Sequence, residues 1–265
     1  MASATVLDTI ERYYDAVPRA ASRVETIGPF TLFVKQGGGW PYYARPSLGA
    51  HVFRPEEVEQ VRARQRVLGV PESFEWVAET TPALRAAAVA SGLSVHDHPL
   101  LILEPSAARS APHADGVLVR LVRPDDDVGR ISAVGRLAFA APGTAVGEVG
   151  VADLAAVSSR AGEYDRERLR RGLTVTAAAF TPEGNPVALG SHQPLNGVSE
   201  IVGVGTLPAF RRRGIAAALT TLLIEDALRR AQTIFLSADD DTVARIYQRL
   251  GFRPLATACI AGPGE

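Results

Sequence analysis

The stretch Val204 to Ala218, V-G-T-L-P-A-F-R-R-R-G-I-A-A-A, decides how this 265-residue chain is read. The apolar run Ile201, Val202, Val204 ends at Gly205, Thr206 and Pro208, as a strand does where it closes into a turn. From Ile215 the apolar residues Leu219, Leu222 and Leu223 recur at helical spacing. Arg211, Arg212 and Arg213 therefore lie at a helix N-terminus. Orphan N–H groups and the positive end of the helix dipole favour an anion there, the dipole alone contributing about 0.3 to 2 kcal/mol. A side chain at Gly214 would hold a bulky anion away from those amides, and Ala216 is the smallest substitute for a second glycine. A solvated basic loop is the competing reading. The order strand, proline, basic run, glycine and amphipathic helix favours a phosphate cradle.

Around this turn the composition sets limits. With 28 basic and 29 acidic residues the formal net charge is −1, so no global basic field argues for nucleic acid, and the arginines of the turn are local. The single cysteine, Cys259, excludes an internal disulfide framework and a cysteine-rich metal site. The start, M-A-S-A-T-V-L-D-T-I-E-R-Y-Y, lacks the pattern of a signal peptide, and no run approaches the roughly 18 apolar residues of a membrane span. The expectation is a soluble cytoplasmic protein with no membrane or nucleic-acid partner. Lys35 is the only lysine, and alanine is abundant, as in proteins of GC-rich bacterial genomes.

The Ala-, Ser- and Pro-rich segment Leu103 to Gly116 reads as a linker. This predicts an accessory domain over 1–105, a linker at 106–116 and a catalytic domain over 117–265. In the first, a helix is expected near Val6 to Val17, a strand near Phe30 to Val34, a turn at Gly37 to Gly39 and a charged helix from Pro55 to Leu68. In the second, a strand at V-L-V-R-L-V precedes a helix from Val128 to Phe139, a loop from Ala140 to Gly150 and two helical pieces between Val151 and Arg171. Strands follow at Leu173 to Phe180 and Val187 to His192. Beyond the cradle helix come a buried strand at Thr233 to Ser237, a helix at Asp241 to Leu250 and a strand at Phe252 to Ile260. The segment from Phe74 resembles that from Ile234: strand, polar turn, helix, then a capping glycine, Gly92 or Gly251. As a repeat, the N-terminal half has lost the phosphate turn and carries Ala88 in place of Tyr247. Any strand, helix and glycine cap could align in this way, so chance likeness stays open.

Arg211, Gly214 and Ala216 in Arg-x-x-Gly-x-Ala, followed by I-Y-Q-R-L-G-F at Ile246 to Phe252, resemble the acyl-CoA turn and C-terminal signature of the GNAT superfamily of N-acetyltransferases. The resemblance covers about Val117 to Ile260. It implies an α/β (α+β) fold with a mixed, mostly antiparallel sheet flanked by helices, here as a candidate tandem of two GNAT-like halves. It also implies acetyl-CoA as co-substrate. The backbone of Val204, Gly205 and Thr206 would meet the pantetheine arm. Arg211, Arg212, Arg213, Gly214, Ile215, Ala216 and Ala217 would surround the pyrophosphate.

Acetyl transfer to an amine needs the amine deprotonated, since alkylamines titrate near pH 10, and benefits from a proton for the departing thiolate. Glu200, opening the cofactor strand, is the leading base by the resemblance; the alternative is an exposed strand-end charge. His192 on the neighbouring strand could serve instead, or be a satisfied structural group. Tyr247 resembles the family's general acid, and could equally be a packed aromatic. Asp239, Asp240 and Asp241 look like a metal-binding run but are explained by helix capping, so no metal is expected. Glu163 to Arg171 reads as a solvated helix of mixed charge, at the family's acceptor position. The expected acceptor is a small-molecule or peptide amine, and a homodimer is a candidate assembly. An acyl-CoA sensor without turnover is the alternative. A nucleoside-triphosphate enzyme fits poorly, because no Gly-Lys-Ser/Thr follows the turn.

Overall fold

A computed structural model describes residues 3–36, 43–157 and 162–264. The elements in chain order are α1 (Ser3–Arg19), β1 (Ser22–Ile27), β2 (Phe30–Lys35), β3 (Ala44–Pro46), α2 (Pro55–Leu68), β4 (Phe74–Val77), α3 (Ala83–Ala90) and β5 (Leu93–Leu103). There follow β6 (Leu118–Leu121), α4 (Val128–Ala140), α5 (Leu154–Val157), α6 (Gly162–Arg170), β7 (Val175–Phe180), β8 (Pro186–Leu195) and β9 (Val198–Thr206). The chain ends with α7 (Ile215–Ala227), β10 (Thr233–Ser237), α8 (Asp241–Arg249) and β11 (Phe252–Pro263). The turn expected at Gly37 to Gly39 lies outside the described residues. The strands β1, β3 and β5 are not among the elements expected from the sequence.

Two compact units emerge, Met1–Leu100 with Pro254–Glu265, and Leu101–Arg253. The first is discontinuous, which a boundary drawn at the 106–116 segment does not provide for: the C-terminal strand β11 pairs antiparallel with β4, Cys259 opposite Trp76. Its strands run in the order β1-β2-β3-β4-β11-β5. Phe30, Leu32, Phe74, Trp76 and Leu84 form its buried centre.

In the second unit the order is β10-β9-β8-β7-β6, antiparallel except for the parallel pair β9 and β10, which α7 connects. Helices cover both faces. A Cβ on Gly190 would press on Leu219 and Leu223 of α7, whereas the preceding residue, Leu189, packs against the cluster that holds Val128 and Ile131 of α4. Since neighbours on a strand point to opposite faces, α4 and α7 lie on opposite sides of the sheet. The 103–116 segment is not a free linker. Ala114 is buried in this unit's core, the Ala111 amide donates to Thr221 Oγ1 (3.0 Å), and the Arg109 amide donates to Leu250 O (3.0 Å). A side chain at Gly251 would collide with the Ala107 carbonyl, so this glycine (φ 102°) both caps α8 and admits the segment. Among the described residues no helix is long and apolar enough to cross a membrane.

Candidate active site between β9 and β10

The parallel ladder of β9 and β10 has three rungs: Val198 with Thr233, Ser199 with Ile234, and Glu200 with Phe235. From Ile201 the strands part. On its other edge β9 also leaves strict register. From Ser191 to Leu189 β8 advances two residues while β9 advances three, from Val202 to Gly205, with Gly203 in the left-handed region at φ 64°. A cavity of about 890 Å³ opens between the separated strands. Residues 201–206 of β9 form one wall, Ser237 to Asp239 with one face of α8 the other, and α4 with Pro142 to Thr144 a third. The N-terminus of α7 closes the end.

That end is rich in unpaired donors. The Arg211 amide donates to Pro208 O (3.3 Å) and the Ala218 amide to Gly214 O (3.0 Å). Between them, among the described residues, no backbone amide has a backbone acceptor, and Gly214, the N-cap, contributes no side chain. Arg212 (φ 64°) and Gly214 (φ 76°) are both left-handed, which curls the chain around its own N–H groups. The first turn of α7 holds no acidic residue. Thr206 Oγ1 is buried against the same cavity without a hydrogen-bond partner. A buried polar group of this kind costs about 1 to 3 kcal/mol when left unsatisfied.

The three arginines divide the work. Arg211 lines the cavity, but its guanidinium donates from Nε to Thr206 O (3.1 Å), from Nη1 to Ala145 O (3.2 Å), and from Nη2 to Ala138 O (3.0 Å) and Ala141 O (2.6 Å). These bonds brace the end of β9 against α4 and the following loop. Arg212 faces the cavity, and Arg213 stacks over Phe210 at 5.4 Å. Gly205 is required by packing, since a Cβ there would lie 2.9 Å from Ala138 Cβ.

Glu200 occupies the last rung before the strands part, half-buried, opposite Gln193 and Phe235; it does not itself line the cavity. Tyr247 does. Its ring packs edge-on against Phe252 at 6.1 Å within the core, and burial raises its hydroxyl above the ordinary tyrosine range, so it stays protonated. The packed-aromatic reading and a donor at the cavity wall thus describe one side chain. His192 is placed differently from a base. It is fully buried, with Nδ1 2.8 Å from Ser199 Oγ and Nε2 3.1 Å from Asp226 Oδ1, which Arg230 also binds at 2.6 Å. Burial lowers its pKa, against the pull of Asp226. Both ring nitrogens are occupied on the α7 side of the sheet, so His192 is structural.

Asp240 caps α8, accepting the Val243 amide at 2.7 Å. On α6, Glu163 pairs with Arg166 and Arg170, while Asp165 accepts from Ser132 Oγ (2.7 Å) and Arg166 Nε donates to Pro124 O (2.7 Å). The mixed-charge helix is therefore partly anchored. What composition could not show is Thr206 as an orphan hydroxyl and Arg211 as a brace, because both depend on partners 66 to 73 residues away or on their absence.

Residues 153–252 match the model of the acetyltransferase (GNAT) family. No curated protein sequence matches the chain. Among solved structures, a GCN5-related N-acetyltransferase from Kribbella flavida superimposes with a TM-score of 0.74 at 24% identity, over 98% of this chain and 96% of that one. Another, from Sphaerobacter thermophilus, gives 0.57 at 19% identity, covering 79% and 68%. A tandem GNAT protein from the clavulanic acid biosynthesis pathway gives 0.56 at 15% identity, covering 89% and 79%. Similarity at these identities speaks to fold, and the fold is the mixed α/β, helix-flanked sheet of these proteins. The family match lies across β9, α7, β10 and α8, so the elements that part around the cavity fall within residues 153–252, the stretch similar to the acetyltransferase domain of the GNAT family.

Proposed function

We propose that the cavity binds acetyl-CoA and that the domain transfers its acetyl group to a primary amine by direct attack on the thioester in a ternary complex. The parting of β9 and β10 beyond Glu200 carries this reading, because it leaves an open strand edge and a bare helix N-terminus on one cavity. An acyl-CoA has a matching pair of features: an arm with two amides that can pair as a strand does, and a pyrophosphate. Val204, Gly205 and Thr206 would meet the arm, the orphaned Thr206 hydroxyl adding a polar contact. Arg212, Arg213, Gly214, Ile215, Ala216 and Ala217 would surround the pyrophosphate through amides and charge, with Arg211 holding the turn in shape.

Bound acetyl-CoA supplies the activated acyl group; orientation and proton handling fall to the chain. Glu200, at the apex of the opening, takes the proton of the amine, directly or through water. A backbone N–H of the bulged strand polarises the carbonyl under attack. The Tyr247 hydroxyl donates to the departing sulfur, for which its elevated pKa keeps it in the acid form. No metal enters the reaction, the acceptor is a small-molecule or peptide amine, and the setting is the cytoplasm. That Glu200 stands just outside the cavity wall favours a second reading, an acyl-CoA-binding module without turnover.

Calorimetric titration with acetyl-CoA, followed by free-thiol release across a panel of amines, separates the two. Binding with amine-dependent release supports the transferase. Binding without release across the panel supports the sensor, and no binding overturns both.

A further inference from the structure

The cavity has a second cationic region. Arg245 and Arg249, one helical turn apart on α8, line it together with Thr242 and Ile246. Both arginines are exposed. The ion pairs of this unit engage Arg120, Arg166, Arg170, Arg230 and Arg253 instead, so neither Arg245 nor Arg249 has a carboxylate partner among the described residues. Asp239 is the one carboxylate in the wall. Two like charges at this spacing repel by a few tenths of a kcal/mol in a helix. The helix dipole rewards Arg249 in the last turn and gives no account of Arg245.

Resting on the acyl-CoA reading, we propose that Arg245 and Arg249 form a second anion subsite, which takes the ribose 3′-phosphate of the cofactor and separates CoA from carriers that share only its arm and pyrophosphate. The amides at the start of α7 provide for the pyrophosphate. CoA has one anionic group beyond it, a phosphomonoester whose charge approaches −2 at neutral pH. Two guanidinium groups a turn apart offer the planar, multi-donor recognition that such a group takes best. The hydroxyl of Thr242, on the same face of α8, adds a neutral donor.

The test compares the dissociation constants of CoA and 3′-dephospho-CoA by calorimetry for the wild type, for Arg245→Gln/Arg249→Gln, and for Arg229→Gln. Arg229 is an exposed arginine away from the cavity and controls for net charge. The wild type is expected to prefer CoA by about tenfold or more, the size of one charge-assisted contact. In the double variant the preference should collapse toward unity with dephospho-CoA affinity unchanged, while Arg229→Gln keeps the wild-type ratio. Equal wild-type affinity for the two ligands, an unaltered preference in the double variant, or a parallel loss of both ligands overturns the subsite and leaves the acyl-CoA reading standing. Binding of neither ligand to the wild type overturns that reading and the subsite with it.

Discussion

Each unit carries an antiparallel run of strands that crosses through a helix to a parallel strand, β3–α2–β4 in the first and β9–α7–β10 in the second, yet the two helix N-termini are built for opposite ends. Before α7 stand Arg211, Arg212, Arg213 and the left-handed Gly214; before α2 stand His51, Val52, Phe53 and an extended Arg54. Helix α2 then opens with Pro55, which has no N–H, and with Glu56 and Glu57. The Glu57 carboxylate accepts the Arg54 amide at 2.8 Å, and the Glu57 and Val58 amides donate to Arg54 O. On β3, Arg45 is buried over the Tyr14 ring at 4.2 Å and pairs with Glu11 at 3.2 Å. Helix α2 thus bonds its Glu57 and Val58 amides to Arg54 O, lacks a donor at Pro55 and places carboxylates where the dipole wants an anion. Helix α7 leaves its donors for a ligand. The same crossover serves as scaffold in one unit and as receptor in the other, and the difference resides in about six residues at the helix start.

Transplanting the α2 solution onto α7 should break this contrast. Ala216→Glu places a carboxylate at the position of Glu56 and is expected to weaken acetyl-CoA binding about 100-fold or more, equal to about 3 kcal/mol of charge repulsion. Ala216→Gln, of the same size without the charge, should lose far less. The thermal midpoint of the glutamate variant should hold or rise, since an acid in the first turn stabilises a helix by about 0.3 to 1 kcal/mol. Retained affinity in calorimetry would remove the cradle assignment.

Next in size come the proton-handling residues; when the segment from Phe74 is laid beside that from Ile234, Ala88 falls opposite Tyr247. Tyr247→Phe is expected to lower kcat by about 10- to 100-fold with acetyl-CoA affinity nearly unchanged, and Glu200→Gln to lower kcat by about 100-fold or more. Equal losses in turnover and affinity for Tyr247→Phe would assign the ring to packing against Phe252. Full activity in Glu200→Gln would leave the last rung of the ladder without a chemical role.

The brace sharpens the comparison within the turn itself. Arg211→Gln removes donors to four carbonyls and should destabilise the second unit by about 2 kcal/mol, as several net hydrogen bonds do. Arg212→Gln should leave the unfolding midpoint alone and weaken acetyl-CoA binding. If the two variants behave alike in denaturant melts, the division of labour drawn between them fails.

How much of this the sequence disclosed follows from the range of the forces involved. The strand-to-helix turn, the bounds of α2 and β10, and the glycine caps at Gly92 and Gly251 are local matters of periodicity and φ, and residue order conveys them. The pairing of β11 with β4 joins residues some 180 positions apart, and no local signal distinguishes that partner from another. The 103–116 segment reads as a linker because it is rich in small residues; those same residues let it lie against Gly251 and into the core. His192 reads as a candidate base because a histidine on the strand neighbouring that of Glu200 carries no mark of its burial. Asp226 and Ser199, which occupy its ring, are 34 and 7 residues away.

The smallest expected effect concerns acid, and it should move the two units in opposite directions. In the second unit, burial lowers the His192 pKa, so the folded state holds the neutral ring. Its contribution is whole above about pH 6.5, the value of an unperturbed histidine, and is lost as pH falls below it. In the first unit, burial raises the Glu75 carboxyl to about 7, against the pull of Arg45 and Tyr43. The folded state there holds a proton that the unfolded chain releases, so its contribution is whole below the ordinary carboxylate range and is lost as pH rises through 7. Each group can change stability by up to about 1.4 kcal/mol per pH unit, and less for Glu75, whose side chain keeps 28% of its exposure and some of its water. The other carboxylates with shifted values in the two units, such as Glu72 and Asp226, are held low and titrate beneath this window. Between pH 7.5 and 5.5, amide exchange corrected for its intrinsic pH dependence should show protection rising in β3 and β4 and falling in β8 and β9. Glu75→Gln should abolish the first change alone. Protection that falls in both units, or an unchanged response in Glu75→Gln, would contradict the opposed titrations.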